Sequence, residues 1–164
     1  MTTATQELHP PTQAADGQFD AEVCLIGAGA AGLAAGKALA DREIEFDWFE
    51  KGSMVGGLWR IDNDNDGAAA YRTLHLNSSR PLTQYPSYPM PQDWPDYPGH
   101  EQIATYFQSF AEDNDLLSRI SFRTPVTNVE PLPCDGLPGS AGWAVTAGGE
   151  HRTYRSVMVA NGHH

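Results

Sequence analysis

The sequence predicts an α/β fold in which a central parallel β-sheet continues into an antiparallel β-meander near the C-terminus. Early in the chain, an apolar strand, a glycine-rich turn, a helical pattern and a second strand follow within about 30 residues, the size of one βαβ crossover unit. From residue 120 onward, short strand patterns alternate with Gly and Pro turns. A chain of 164 residues is long enough for one domain with a real core.

Composition narrows the class of protein. The formal net charge is −11, from 21 acidic and 10 basic residues. Proteins that bind nucleic acid or anionic membranes usually carry an excess of basic residues, which this chain does not have. No apolar run approaches the roughly 18 residues of a membrane span, and the first 20 residues lack a secretory signal. We therefore expect a cytoplasmic protein with no nucleic-acid or membrane partner, and the pattern leaves its oligomeric state open.

The two cysteines, Cys24 and Cys134, lie far apart and have no metal-ligand spacing around them. Cys24 falls inside a strand pattern, where a cysteine behaves as a small buried hydrophobe. We expect no metal site in the chain and no redox role for either thiol.

The elements follow in order along the chain. Residues 1–19 are rich in Thr, Gln, Ala and Pro, and we expect a disordered arm there, with the domain in residues 20–164. The run AEVCLIG from residue 21 is typical of a strand buried on both faces of a parallel sheet. AAGLAAGKALADR from residue 30 has helical spacing, and EIEFDWFEK from residue 43 resumes a strand.

The rest of the chain is predicted as follows. Residues 62–70 are expected to form a surface loop, and the Pro-, Tyr- and Trp-rich residues 81–99 a packed irregular segment. Residues 100–117 follow a helix face. The four strand patterns that close the chain are ISFRT, TPVTNVEPL, GWAVTAG and TYRSVMVA.

The first strand runs directly into a GxGxxG turn at residues 27–32. Gly27 permits the tight turn, Gly29 lets the backbone approach a pyrophosphate, and Gly32 lets the helix pack closely on the strand. The helix N-terminus adds unpaired N–H groups and the positive end of its dipole. Because it lies between a strand and a helix, this turn predicts a Rossmann-type dinucleotide-binding unit.

The second strand ends at Glu50, about 20 residues after the glycines, where a carboxylate accepts hydrogen bonds from an adenosine ribose. The alternative for this residue is a solvated strand-end carboxylate paired with Lys51. A carboxylate disfavours a 2′-phosphate, so the site suits FAD or NAD better than NADP. Gly56 and Gly57 follow, and a second close backbone segment suits the longer ligand, FAD.

At this point the chain resembles the flavin-containing monooxygenases, which are class B flavoprotein monooxygenases. The resemblance rests on the GAGAAGL turn, Glu50, GGLWR at residues 56–60 and YRTLHLNSSR at residues 71–80. It continues through the segment that begins YPSYPMPQDWPDYPGHEQ and ends in VMVANGHH. The Baeyer–Villiger branch typically has a TWYWN-like run after its Gly-Gly, which this chain lacks.

The resemblance implies a Rossmann-like FAD-binding domain. It implies NADPH-dependent oxygenation of a small molecule with a soft N or S nucleophile, using O₂ and a C4a-hydroperoxyflavin. It assigns a catalytic role to Asn77, beside the isoalloxazine, although the residues NSS alone favour a turn-forming Asn. The cofactor-binding residues that it implies are Gly27, Ala28, Gly29, Ala30, Ala31, Gly32, Glu50, Lys51, Gly57, Leu58, Trp59, Asn77, Ser78 and Val126.

Members of this family continue into a second glycine-rich NADPH domain and carry an FxGxxxHxxx(Y/F) fingerprint, and this sequence contains neither. We therefore expect a domain truncated before the NADPH domain and inactive alone. Two alternatives stay open: another FAD-dependent oxidoreductase with two dinucleotide domains, and a nucleotide-binding remnant that does no chemistry.

Overall fold

The computed structural model describes residues 19–65, 70–133, 137–139 and 141–162. One six-stranded sheet has the strand order β3-β2-β1-β6-β5-β4. The strands and helices are β1 (Ala21–Ile26), α1 (Ala30–Ala40), β2 (Phe46–Phe49), α2 (Arg80–Thr83), α3 (His100–Asp113), β3 (Ile120–Ser121), β4 (Val126–Pro131), β5 (Trp143–Ala147) and β6 (Glu150–Val159). Two short 3₁₀ turns cover Gly57–Trp59 and Leu117–Arg119.

The parallel half of the sheet is centred on β1. This strand pairs in parallel with β2 on one side and with β6 on the other, and β3 adds a short parallel edge beside β2. A strand that has parallel neighbours on both sides and is covered on both faces needs mostly apolar residues. The run AEVCLI is apolar except for Glu22, which is exposed and pairs with Arg155, and the predicted parallel sheet is confirmed.

The antiparallel half is the meander β4-β5-β6. Strand β5 pairs antiparallel with both β4 and β6. Because β6 also pairs in parallel with β1, this one strand joins the two halves of the sheet. The predicted combination of a parallel sheet and a C-terminal antiparallel meander is confirmed.

Apolar clusters cover both faces of β1. Leu25, Leu33 and Trp48 belong to the larger cluster, which α1 and α3 cover and which holds the aromatic residues of α3. Cys24 and Tyr154 belong to a smaller cluster on the meander side. Cys24 has no exposed surface, as expected, and burial, with a smaller effect of the nearby Asp47 charge, raises the pKa of its thiol to about 12. Cys134 lies outside the described residues.

Two helices end earlier than predicted. Helix α1 stops at Ala40 because Glu43 takes a positive φ of 55° and Ile44 N–H returns to the Leu39 carbonyl. Helix α3 stops at Asp113 because Asp115 has a φ of 54°, and the chain continues into the second 3₁₀ turn. Sequence periodicity did not reveal these left-handed residues.

The segment of residues 81–99 is packed, as predicted. Tyr85, Tyr88 and Trp94 lie against the helix-side cluster, and Met90 is buried in it. Of the arm predicted at residues 1–19, only Phe19 is described, and its ring lies 5.4 Å from the Arg155 guanidinium carbon. Within the described ranges, no helix is both long and apolar enough to cross a membrane.

Candidate functional site

A groove of about 580 Å³ lies where β1, β2 and β6 end. In an open α/β sheet, ligands bind in such a crevice at the carboxyl ends of the parallel strands. Ten of the residues that the sequence pointed to line it: Gly27, Gly29, Ala30, Ala31, Glu50, Lys51, Gly57, Leu58, Trp59 and Val126.

Protein contacts explain two glycines of the GxGxxG turn. Gly27 has a φ of 96°, and a Cβ built there would lie 2.4 Å from the Ala160 carbonyl oxygen. A Cβ at Gly32 would lie 2.0 Å from the Gly27 carbonyl oxygen. These two positions have no room for a side chain because the helix, the turn and β6 already touch there.

Gly29 differs from the other two glycines. Its φ of −79° is open to any residue, and the nearest atom to a Cβ built there is the Gly57 Cα at 3.7 Å, an ordinary contact. Gly29 nevertheless lines the groove. A side chain at residue 29 would therefore reduce the space of the groove without disturbing the fold.

Helix α1 points its N-terminus at this groove. The first hydrogen bond of the helix runs from Leu33 N–H to the Gly29 carbonyl at 2.9 Å. The backbone amides before Leu33 therefore have no acceptor within the helix. Trp48 Nε1 donates to the Gly27 carbonyl at 2.9 Å, which anchors the turn to β2. Gly36 leaves room for the same indole, since a Cβ there would lie 2.2 Å from it.

Glu50 is buried, with 5% of its surface exposed. Its Oε2 accepts from Ala28 N–H at 2.7 Å and its Oε1 accepts from Gly52 N–H at 2.8 Å. The carboxylate therefore fixes the glycine turn to the end of β2. Within the described part of the chain, no ion pair joins it to Lys51, so the alternative of a solvated, Lys-paired carboxylate is wrong.

The double glycine forms the neighbouring wall of the groove. Gly56 N–H donates to the Ala28 carbonyl at 3.0 Å, and a Cβ at Gly57 would lie 3.1 Å from the Gly29 Cα. Two backbone segments thus come close at Gly57, where a side chain would press on the Gly29 backbone. Asn63 Nδ2 donates to the Gly57 carbonyl at 2.8 Å.

The surface loop expected at residues 62–70 is confirmed only in part, since Asp62 and Asp64 are exposed but Asn63 is not. Asn63 is buried, with 9% of its surface exposed, and Asn65 lines the groove. The loop folds back because Asn63 Nδ2 donates to the Gly57 carbonyl and Asp64 Oδ1 accepts from Ser53 N–H at 2.7 Å. Residues 66–69 lie outside the described part of the chain.

The opposite wall comes from residues that local patterns did not indicate. Thr124 and Pro125 line the groove just before Val126, and Thr124 N–H donates to the Glu50 carbonyl at 2.9 Å. Asn161 and Gly162 line it after the end of β6. The ANG run that follows an apolar strand was the available signal for this second pair.

The structure does not bring Asn77 and Ser78 into the groove. Both side chains are exposed in the loop that precedes α2, and Ser78 Oγ lies 2.7 Å from Thr83 Oγ1. Ala28 and Gly32 do not line the groove either; both are buried beneath it. Ala28 contributes through its backbone, which bonds both Glu50 and Gly56.

The groove has the chemistry of a phosphate site built from backbone. Lys51 is the one basic side chain among the described residues that line it. Helix amides and the positive dipole end favour a phosphate without a cluster of cations. Within the described residues, no group of three or more His, Cys, Asp or Glu side chains is placed to hold a metal ion.

Comparison with known proteins identifies the family. A family model described as FMO-like, flavin-binding monooxygenase-like, matches residues 20–164. Dimethylaniline monooxygenase (N-oxide-forming) 2 of Mus musculus is 38% identical over 149 residues, and flavin-containing monooxygenase 3 of Homo sapiens is 34% identical over the same length. Each alignment covers 87% of this chain and 28% of the relative, so the chain spans less than a third of these proteins.

Solved structures agree with the family model. S-allyl-L-cysteine S-oxygenase from Allium sativum superimposes with a TM-score of 0.73 at 25% identity, covering 87% of this chain and 36% of that one. A steroid monooxygenase bound to NADP gives a TM-score of 0.70 at 26% identity, with 87% and 26% covered. The family model and these likenesses extend over nearly the whole domain, and this chain therefore belongs to the flavin-binding monooxygenase-like family.

Proposed function

We propose that this chain binds FAD in the groove and is the flavin-binding part of an NADPH-dependent monooxygenase. The family and the NADP-bound structural neighbour support the two cofactors. For the whole enzyme we propose transfer of one oxygen atom of O₂ to a soft N or S nucleophile of a small molecule, through a C4a-hydroperoxyflavin. Two similar proteins are named for N-oxide formation and for S-oxygenation.

The observation that carries FAD binding is the room at Gly29. Two glycines of the turn are required by contacts within the protein, and Gly29 is not. A glycine that no protein atom requires, lining a groove at a helix N-terminus, fits a ligand whose phosphates approach the backbone. The second glycine segment at Gly57 extends the same close approach, which suits a longer dinucleotide.

The remaining groove residues are proposed to contact different parts of the cofactor. Each Glu50 oxygen accepts one backbone amide, and a carboxylate oxygen has a second lone pair for a ribose hydroxyl. Leu58 and Trp59 give the groove an apolar wall on the flavin side, which helps keep water from the reacting ring. Val126 supports the adenine end. FAD supplies the electron transfer and oxygen activation when it is bound.

Asn77 and Ser78 are proposed to act at the isoalloxazine, as the resemblance implies. The Asn77 side chain is exposed in the loop that precedes α2. An amide both donates and accepts hydrogen bonds, which suits it to hold an oxygen atom in place beside a second polar group.

The test is cofactor capture by the purified chain. We expect the chain to bind FAD with a protein-bound flavin spectrum, and the released cofactor to be FAD by chromatography. FMN, which lacks the adenosine half that Glu50 recognises, should bind at least about tenfold more weakly, or roughly 1.4 kcal/mol. A chain that binds FMN as well as FAD, or that prefers NAD, would refute the assignment.

A second measurement separates a part of an enzyme from a remnant that does no chemistry. The FAD-loaded chain should not consume NADPH with a thioether substrate, because its sequence has no second glycine-rich dinucleotide turn. The bound flavin should still accept electrons from a chemical reductant and be reoxidised by O₂. A chain that folds yet cannot be loaded with FAD would favour the remnant.

A further inference from the structure

Behind the double-glycine turn lie two polar side chains, Arg60 and Asn63, that do not line the groove. We propose that they are positioning residues: they hold the Gly56–Gly57 turn so that a backbone amide faces the cofactor. This inference rests on the proposed function, and it gives a role to Asn63, which lies in the segment that the sequence pattern predicts as a surface loop.

Arg60 folds back over the turn. Its Nε donates to the Val55 carbonyl, and its Nη2 donates to Gln108 Oε1 at 2.7 Å. The side chain also lies across Gly56, where a Cβ would be 3.3 Å from Arg60 Nε. These bonds attach the turn to α3, since Gln108 is part of that helix and donates in turn to Glu112 Oε1 at 2.8 Å.

The amide of Leu58 has no acceptor within its 3₁₀ turn because of where that turn starts. The turn covers Gly57–Trp59, and its first internal bond runs from Trp59 N–H to the Gly56 carbonyl at 3.2 Å, so Leu58 N–H precedes the bonded amides. Arg60 holds the Val55 carbonyl, and within the described residues Leu58 N–H has no hydrogen-bond acceptor. Leu58 lines the groove, so its amide is left available to a ligand.

Asn63 sets the direction of the same amide. It donates to the Gly57 carbonyl at 2.8 Å, and Asn65 N–H donates to Asn63 Oδ1 at 3.2 Å. In a trans peptide, the carbonyl and the following N–H point in opposite directions. With the Gly57 carbonyl held toward the buried Asn63, Leu58 N–H points to the opposite side of the turn.

The burial of Arg60 is consistent with this assignment. Burial lowers the pKa of its guanidinium below the ordinary value, which means that the charged form is partly desolvated. A partly buried arginine that bonds a backbone carbonyl and a side-chain amide fixes geometry through its fork of donors. An exposed arginine at this position would leave the turn without that support.

The experiment titrates the 164-residue chain and its variants with FAD, following flavin fluorescence at a temperature where circular dichroism shows each apoprotein folded. Arg60→Met should raise the FAD Kd at least tenfold, and Arg60→Lys, which keeps one donor for Val55, should recover part of the affinity. The control is Arg42→Met, because Arg42 also donates to a backbone carbonyl, that of Ala38, but at the far end of α1. Arg42→Met should bind FAD as the unaltered chain does.

The outcomes separate the two proposals. A folded Arg60→Met chain that binds FAD as tightly as the unaltered chain overturns the positioning role and leaves the proposed function standing. An unaltered chain that binds no FAD overturns both. If Arg60→Met does not fold, Asn63→Ala decides by the same criterion, with a tenfold loss in a folded apoprotein as the supporting result.

Discussion

Replacement of Gly29 by alanine should weaken FAD binding while leaving the stability of the apoprotein nearly unchanged. The nearest atom to the new Cβ is 3.7 Å away, and the φ of −79° suits alanine. The free energy of unfolding of the apoprotein should therefore stay within about 1 kcal/mol of the unaltered value, with a slight gain expected from the stiffer unfolded chain. FAD should bind at least about tenfold more weakly, which is about 1.4 kcal/mol, because the methyl group occupies the phosphate approach.

Gly32→Ala is the matched control. Its Cβ would lie 2.0 Å from the Gly27 carbonyl oxygen, a backbone atom that cannot turn away. Overpacking of this kind costs about 1–3 kcal/mol or more. The midpoint of thermal unfolding should fall by roughly 2–4 °C for each kcal/mol.

The assays are thermal unfolding of the two apoproteins and FAD titration of each. The reasoning is refuted if Gly29→Ala binds FAD like the unaltered chain, or if it loses as much stability as Gly32→Ala. In the first case the phosphate does not approach residue 29, and in the second the turn is more tightly packed than its contacts indicate.

Four further predictions follow from the same contacts. In Glu50→Gln, the side-chain NH₂ group faces one of the two backbone amides that donate to Glu50. Chemical denaturation should therefore show a free energy of unfolding lower by about 1–3 kcal/mol, and FAD should bind more weakly. Unchanged stability would contradict this prediction. Gly36→Ala places a Cβ 2.2 Å from the Trp48 indole and should destabilise the apoprotein by about 1–3 kcal/mol, with altered tryptophan fluorescence. Because the pKa of the buried Cys24 thiol is raised, its contribution to the free energy of unfolding is complete below pH 9.0 and is lost as the pH rises toward about 12. Chemical denaturation across this pH range measures the loss. Rapid labelling of Cys24 in the folded chain below pH 9.0 would contradict the prediction. Asn77→Ala, at an exposed side chain outside the groove, should change FAD affinity less than about threefold, or roughly 0.7 kcal/mol, because the role proposed for Asn77 is to hold an oxygen atom beside the flavin; a larger loss on titration would mean that Asn77 also holds the cofactor.

Local patterns predict most of the scaffold. The strand that ends at Ile26, the glycine turn and the helix from Ala30 are each determined by neighbours along the chain, and the structure has them where the pattern puts them. Glu50 was also predictable, because its distance from the glycines is set by the length of one crossover unit. Its two amide bonds were not, since they depend on the packing of the turn against the end of β2.

The walls of the groove depend on tertiary contacts, and sequence reasoning missed much of them. Asn63 lies in a run of Asp and Asn that reads as solvent-exposed, and only its bond to Gly57 explains its burial. Thr124 precedes β4 and Asn161 follows β6, and these distant parts of the chain converge only when the sheet is complete. The resemblance placed Asn77 beside the flavin, and that role stays a prediction.

The position of β6 between β1 and β5 has a consequence for the order in which the protein assembles. The N-terminal part of the chain carries the GxGxxG and double-glycine turns, yet Ala160 N–H must reach the Ile26 carbonyl before the floor of the groove is closed. Contacts between such distant residues form slowly because a long loop must first be closed. During synthesis the glycine turn therefore emerges early and stays incomplete until the last strand inserts, so capture of a nucleotide is a late event in folding.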